Sequence, residues 1–237
     1  MNAAAVDAGP ATGLVPLLPR EQRPLLVAYL AVAVLDVVAE AAHLDLVADL
    51  AKPLLIPLLL AWVLAVRRST SPRLLVVGLV LAWLGDLALM LPGDTAFIVG
   101  LLLFLGMQVC YIVGFVALRA VDRLRRLAWL PVAGVLLWIG LNVALGPSLG
   151  TLRIPLLVYS AALTTMAVLA CGVSPRVGVG GVTFLVSDLL IGLDAAGIGI
   201  PGHGPVVMAT YVVGQLLIAT GWVAMGAEGT RSVRGRA

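Results

Sequence analysis

The sequence predicts an all-α polytopic membrane bundle of about eight transmembrane helices, with the N- and C-termini cytoplasmic. Three observations predict it. Of 237 residues, 62% are hydrophobic and 11% charged, whereas a soluble domain has roughly 45–50% apolar and about 25% charged residues. Eight separate apolar runs follow one another with short connections, too short to hold a second, soluble domain. Thirteen of the fifteen basic residues fall in alternate connections, the bias expected of cytoplasmic loops.

The runs are Leu25–Ala42, Pro53–Val66, Leu74–Leu91, Thr95–Leu118, Leu127–Leu145, Leu152–Gly172, Val177–Leu193 and Pro205–Met225. The second is short, and reaches the interface only if it extends backward through Asp49–Lys52. Pro53 then falls in about the first turn, where a missing N–H does little harm. Pro57 lies deeper and demands a kink or a partner from a neighbouring helix. This gives a cytoplasmic tail over 1–22, a transmembrane domain over 23–226 and a cytoplasmic tail over 227–237. The first twenty residues lack the basic start and apolar stretch of a cleaved signal, so the first run is read as an anchor.

The thirteen residues on the cytoplasmic side are Arg20 and Arg23; Arg67, Arg68 and Arg73; Arg119, Arg123, Arg125 and Arg126; Arg176; and Arg231, Arg234 and Arg236. Lys52 and Arg153 alone fall on the other side. A net charge of +3 would suggest nucleic acid in a soluble protein; here it marks loops, and no nucleic-acid partner is expected. Lysine occurs once among the fifteen basic residues, a composition that hints at a GC-rich bacterial genome and hence a plasma membrane. Cys110 and Cys171 lie within apolar runs and His43 and His203 stand apart, so no metal-ligand spacing exists and no metal is expected.

An internal echo runs through the chain. Leu84–Leu89 in the third run resembles Val186–Ile191 in the seventh, aligning Asp86 with Asp188 at an offset of 102. The same offset carries Glu40 onto Asn142, while Ile56–Leu59 recurs as Ile154–Leu157 at an offset of 98. Two four-helix repeats would share one orientation. Chance matching in leucine-rich sequence explains the echo equally well at this point.

Ionisable groups within a bilayer default to functional or partnered positions. Asp86 and Asp188 lie at matching depths of roughly 17–18 Å from the cytoplasmic starts of their helices, at 1.5 Å per residue. If the helices are neighbours, repulsion and desolvation leave one acid protonated beside one carboxylate, the pair that acid–base hydrolysis uses. Separate hydrogen bonding to neighbouring helices is the bland alternative, and proton coupling in a transporter is a third. Asp36 and Glu40, four apart, share a face that points into the bundle or into water, and Glu40 either joins the pocket or reaches the interface. Lys52 and Arg153 each open a helix on the outer side, where they suit a lipid phosphate; snorkelling, or balancing Asp45 and Asp49, is the plainer role. Gln108 with Tyr111, and Tyr211 with Gln215, pair on single helix faces, and interhelical bonding accounts for them without a ligand. Gly178, Gly180 and Gly181 read as close helix packing.

The ordered set of Lys52-Pro53, Gly85-Asp86 with Leu89-Met90, Phe104 through Tyr111, Phe184 through Asp188, and Thr210-Tyr211 with Gly214-Gln215 resembles the YhhN-like integral membrane proteins over about residues 50–225. Characterised members of that family are lysoplasmalogenases. The resemblance implies hydrolysis of the vinyl ether bond of lysoplasmalogens to a fatty aldehyde and a glycerophospho-alcohol, by two-Asp catalysis at Asp86 and Asp188 without cofactor. Substrate-binding candidates are then Glu40, Lys52, Gln108, Tyr111, Arg153, Ser187, Tyr211 and Gln215. Where the family usually has a histidine three residues before the helix-4 tyrosine, this chain has Gln108.

Overall fold

A computed structural model describes residues 23–66 and 73–234; the expected tail over 1–22 and residues 235–237 lie outside the described residues. The helices are α1 (Arg23–Ala41), α2 (Asp45–Ala65), α3 (Arg73–Leu89), α4 (Asp94–Ala117), α5 (Ala120–Leu124), α6 (Trp129–Leu145), α7 (Arg153–Val173), α8 (Pro175–Ala195) and α9 (His203–Arg234). Two 3₁₀ turns, Gly146–Ser148 and Gly150–Leu152, join α6 to α7. All but α3 and α5 are long and apolar enough to cross a membrane. At 17 residues, α3 lies at the lower end of the roughly 17–25 that span a bilayer, and it packs between α2 and α4. The protein is a polytopic helical bundle.

Two boundaries differ from expectation. The segment expected as a tail over 227–237 continues α9 as helix to Arg234. The second helix begins at Asp45, so Pro53 and Pro57 both lie in its interior. Pro57 has no N–H to give the carbonyl four residues before it, which belongs to Pro53. Trp83 of α3 supplies the missing donor, its Nε1 reaching the Pro53 carbonyl at 3.0 Å. A neighbouring side chain thus relieves the proline and ties α2 to α3.

Close approach of backbones holds the second half together, as expected where lipid offers no hydrophobic drive between helices. A Cβ on Gly180 would come within 2.9 Å of the Ile218 nitrogen on α9. One on Gly181 would meet Ala170 of α7 at 2.6 Å, and one on Gly178 would meet the Cys171 backbone at 3.0 Å. The three glycines therefore let α8 lie against α7 on one side and α9 on the other. At its start, Ser174 caps α8, its Oγ accepting from the Val177 N–H at 3.3 Å, with Pro175 in the first turn.

Outward faces stay apolar. On α6 only Gly134 is buried, while Leu136 and Val143 are more than half exposed. A helix greasy on its outside reads as facing hydrocarbon.

Candidate active site

All four tyrosines of the chain are buried, and each hydroxyl donates to a residue on another helix. Tyr211 on α9 donates to Asp86 Oδ2 on α3 at 2.7 Å. Tyr159 on α7 donates to Asp188 Oδ2 on α8 in a short hydrogen bond. Tyr111 on α4 donates to Gln215 Oε1 on α9 at 2.9 Å, and Tyr29 on α1 to the Val212 carbonyl at 2.7 Å. Where water is scarce a buried phenol must find an acceptor, so these bonds fix how the helices meet.

The two carboxylates lie within electrostatic reach of each other, yet their surroundings differ. Asp188 and Tyr159 line an apolar cavity of about 100 Å³ bounded by α4, α6, α7 and α8, with the end of α3. Asp86 does not line it. Phe104 touches both surroundings. It lines the cavity, meets Tyr211 edge-on with ring centroids 6.1 Å apart, and would strike a Cβ on Gly85, next to Asp86, at 2.8 Å. Phe184 closes the aromatic cluster, 6.4 Å from Phe104 and 5.8 Å from Tyr211.

The cavity's polar edge comes from α6. Trp138 Nε1 donates to Ser160 Oγ at 3.1 Å, and Asn142 Nδ2 donates to Ser160 Oγ at 3.2 Å and the Trp138 carbonyl at 2.8 Å. Trp138 and Asn142 also line a second, shallower recess, where Arg153 sits with Pro147 and Leu157. The cation is therefore at the rim of a recess that shares two wall residues with the cavity.

Other sequence candidates fall elsewhere. Lys52 pairs with Glu40 in a close ion pair on the α1–α2 side and lines neither hollow. Glu40 also sits beside the first turn of α9, 3.1 Å from where a Cβ on Gly204 would be, a helix start that favours negative charge. Ser187 donates to the Val207 carbonyl at 3.0 Å. Gln215, besides accepting from Tyr111, points its Nε2 at Met107 Sδ, 3.3 Å away. Ser187, Tyr111 and Gln215 are interhelical ties in this arrangement. Gln108 is different: fully buried, it lies close to Tyr159, and neither amide atom makes a hydrogen bond among the described residues.

Tyr159, Phe104 and Trp138 are site residues that sequence reasoning passed over. The rarity of tyrosine was the available signal for the first: a phenol within an apolar run needs an acceptor, and few intramembrane acceptors exist. Among the described residues no group of three or more His, Cys, Asp or Glu could hold a metal ion.

The fold and site define a polytopic helical membrane protein with a tyrosine-bonded pair of intramembrane carboxylates, one of them facing an apolar cavity. The YhhN family model matches residues 47–222, which takes in both carboxylates and all but the first helix. The chain belongs to the YhhN family. No curated protein and no solved structure matches it.

Proposed function

We propose that the protein is a membrane-embedded lysoplasmalogenase, an ether hydrolase that cleaves the vinyl ether bond of lysoplasmalogens. The observation carrying this reading is the single acid, Asp188, set with its Tyr159 donor into the wall of a mostly apolar cavity. Family membership points the same way. A greasy wall suits the vinyl ether end of a single-chain lipid, and a carboxylic acid in that wall can protonate carbon.

In this mechanism Asp188, protonated, gives its proton to the vinyl β-carbon. The double-bond electrons form the new C–H bond, and positive charge develops at the α-carbon. The two aspartates within reach stabilise that charge. Water attacks the α-carbon, and its proton passes through a second water to Asp86, which does not itself line the cavity. The hemiacetal then collapses: its hydroxyl proton returns to Asp188, the bond to the glycerol oxygen breaks, and the proton held by Asp86 returns along the same water to that oxygen as it leaves. One water is consumed, and both carboxyl groups regain their starting states. Tyr159 and Tyr211 orient their partners and donate hydrogen bonds to the ionised forms.

Arg153 suits the phosphate of such a substrate. It opens α7 about 9 Å of helix rise before Tyr159, the donor to Asp188. The experiment is direct: purified protein in nanodiscs is given a lysoplasmalogen, and free aldehyde is measured. Absence of aldehyde, together with cation-dependent solute uptake in proteoliposomes, would replace the hydrolase with a proton-coupled transporter built on the same carboxylates.

A further inference from the structure

Asp36 is a buried acid that the cavity chemistry leaves unused. It lies on α1 at 0% exposure, and neither of its carboxylate oxygens has a hydrogen-bond partner among the described residues. Buried polar atoms are nearly always bonded, to protein or to ordered water. One turn along the same face, Glu40 pairs with Lys52, their side chains 23% and 26% exposed. Lys52 precedes Pro53, whose carbonyl takes the Trp83 indole three residues before Asp86 on α3. Tyr211, the donor to Asp86, is followed by Val212, whose carbonyl takes the Tyr29 hydroxyl of α1. These ties draw α1, α2, α3 and α9 together around Asp36 and Asp86. None of Glu40, Lys52, Asp36 and Asp86 lines the apolar cavity.

Two other uses of Asp36 are weaker. A bound cation would compete with the Lys52 ammonium, and no suitable metal cluster exists among the described residues. A structural tie would give the oxygens a protein donor, which Asp36 lacks among the described residues; Tyr29, on the same helix, spends its hydroxyl on Val212. Water fits better. It needs about two to four polar partners, and Asp36, Glu40, Lys52 and Asp86 offer them in sequence.

We propose that Asp36, reached from the Glu40–Lys52 pair, is the hydration inlet of Asp86: a water path from the membrane surface near the α1–α2 turn, separate from the cavity that takes the lipid. Its use in turnover rests on the hydrolase reading, because hydrolysis consumes one water for each ether cleaved. Its existence does not. The path carries water and no proton, because the hydrolysis returns both carboxyl groups to their starting states.

The test reads hydration first and activity second. In the full chain with Cys110 and Cys171 replaced by alanine, Asp36→Cys is treated with a small cationic methanethiosulfonate. Only a thiolate reacts, and a thiolate forms where water reaches, so labelling should exceed that of the outward-facing control Val34→Cys by about tenfold or more. If Asp36→Cys does not fold, the native chain is treated instead with a water-soluble carbodiimide and a glycine ester. Mass spectrometry should then find the adduct on Asp36. Reaction with membrane-soluble reagents alone, or with none, overturns the inlet whether or not the protein hydrolyses ethers. On lysoplasmalogen, Asp36→Leu should lower kcat by about tenfold or more with KM unchanged, as loss of a group that serves the attacking water would do. A wild type without aldehyde release defeats the hydrolase reading and leaves the labelling result to decide the inlet.

Discussion

Helices α1 and α6 occupy equivalent places in the two halves of the chain, yet they carry different chemistry. An offset of 102 places Asp36 on Trp138 and Glu40 on Asn142, and Lys52 falls near Arg153 at 101. In the first half these positions are charged, and α1 closes on its neighbours, burying Tyr29, Ala33, Asp36 and Ala39. In the second half the two α6 positions are neutral and hydrogen-bond locally through Ser160, and only Arg153 keeps a charge; α6 buries only Gly134 and leaves a cavity beside it. Charges within a membrane must be enclosed or paired, which draws α1 and α2 together. Trp138 and Asn142 are satisfied by one neighbouring hydroxyl, so α6 can stand off and leave apolar space. The echo continues in the packing: α4 meets α7 as α2 meets α9. It fails at the tyrosines, because Asp86 takes its donor from α9 and Asp188 from α7.

The largest effect expected concerns the acids themselves. Asp188→Asn and Asp86→Asn should each lower kcat for lysoplasmalogen by about a hundredfold or more while the chain still folds, as for loss of a general acid or base. Near-normal aldehyde release by either variant would break the two-carboxylate mechanism, and release by Asp86→Asn alone would confine the chemistry to the cavity half.

The cations come next, and they sharpen the contrast between halves. A charge-assisted hydrogen bond to phosphate contributes roughly 1.5–3 kcal/mol, so Arg153→Ala should raise KM by about tenfold to a hundredfold, with kcat little changed. Lys52→Ala, which leaves Glu40 without its partner, should keep the KM ratio between phosphate-bearing and phosphate-free vinyl ethers at the wild-type value. If Lys52→Ala alters that ratio and Arg153→Ala does not, the headgroup lies on the other side of the bundle.

Removing a phenol should have a smaller effect. Tyr159→Phe and Tyr211→Phe each delete one hydrogen bond to a carboxylate, and turnover should fall by about tenfold, for roughly 1.4 kcal/mol. Kinetics in nanodiscs, with circular dichroism to verify folding, would tell positioning from structural loss.

The smallest effect is on stability. Gly180→Ala pushes a methyl against the α9 backbone and should destabilise the bundle by about 1–3 kcal/mol. Gly140→Ala, on α6, meets nothing within 4 Å, and gains about 0.5–1 kcal/mol of helix preference instead. Opposite shifts in thermal melting would confirm that the two halves of the contrast extend to packing, whereas equal shifts would deny it.

How much was legible beforehand depends on the kind of signal. The polytopic helical bundle was legible because hydrocarbon demands long apolar runs, although seven of the described helices, not eight, are long and apolar enough to cross a membrane; the positions of Asp86 and Asp188 stood out because charge in such runs is rare. Pro57's need for an outside partner was legible too, since a proline's missing N–H is a local fact. That the partner is Trp83 was not, for many indoles and hydroxyls offered the same donor. Tyr159 was missed for a similar reason, because an apolar run with one phenol looks like ordinary packing until its neighbour is known.

Sequence by itself therefore determined the class of protein, the helices and the two intramembrane acids. These follow from composition and from the distance along one chain, which covalent geometry sets. Tertiary structure alone decided that Asp188 opens on the cavity while Asp86 does not line it, that Arg153 rather than Lys52 stands near that cavity, and that Asp36 is buried with no hydrogen-bond partner among the described residues. Each depends on which faces of separate helices meet. Apolar side chains of similar size drive many such meetings almost equally well, and the choice among them falls to a few close glycine contacts and tyrosine hydrogen bonds whose partners lie far apart in the chain.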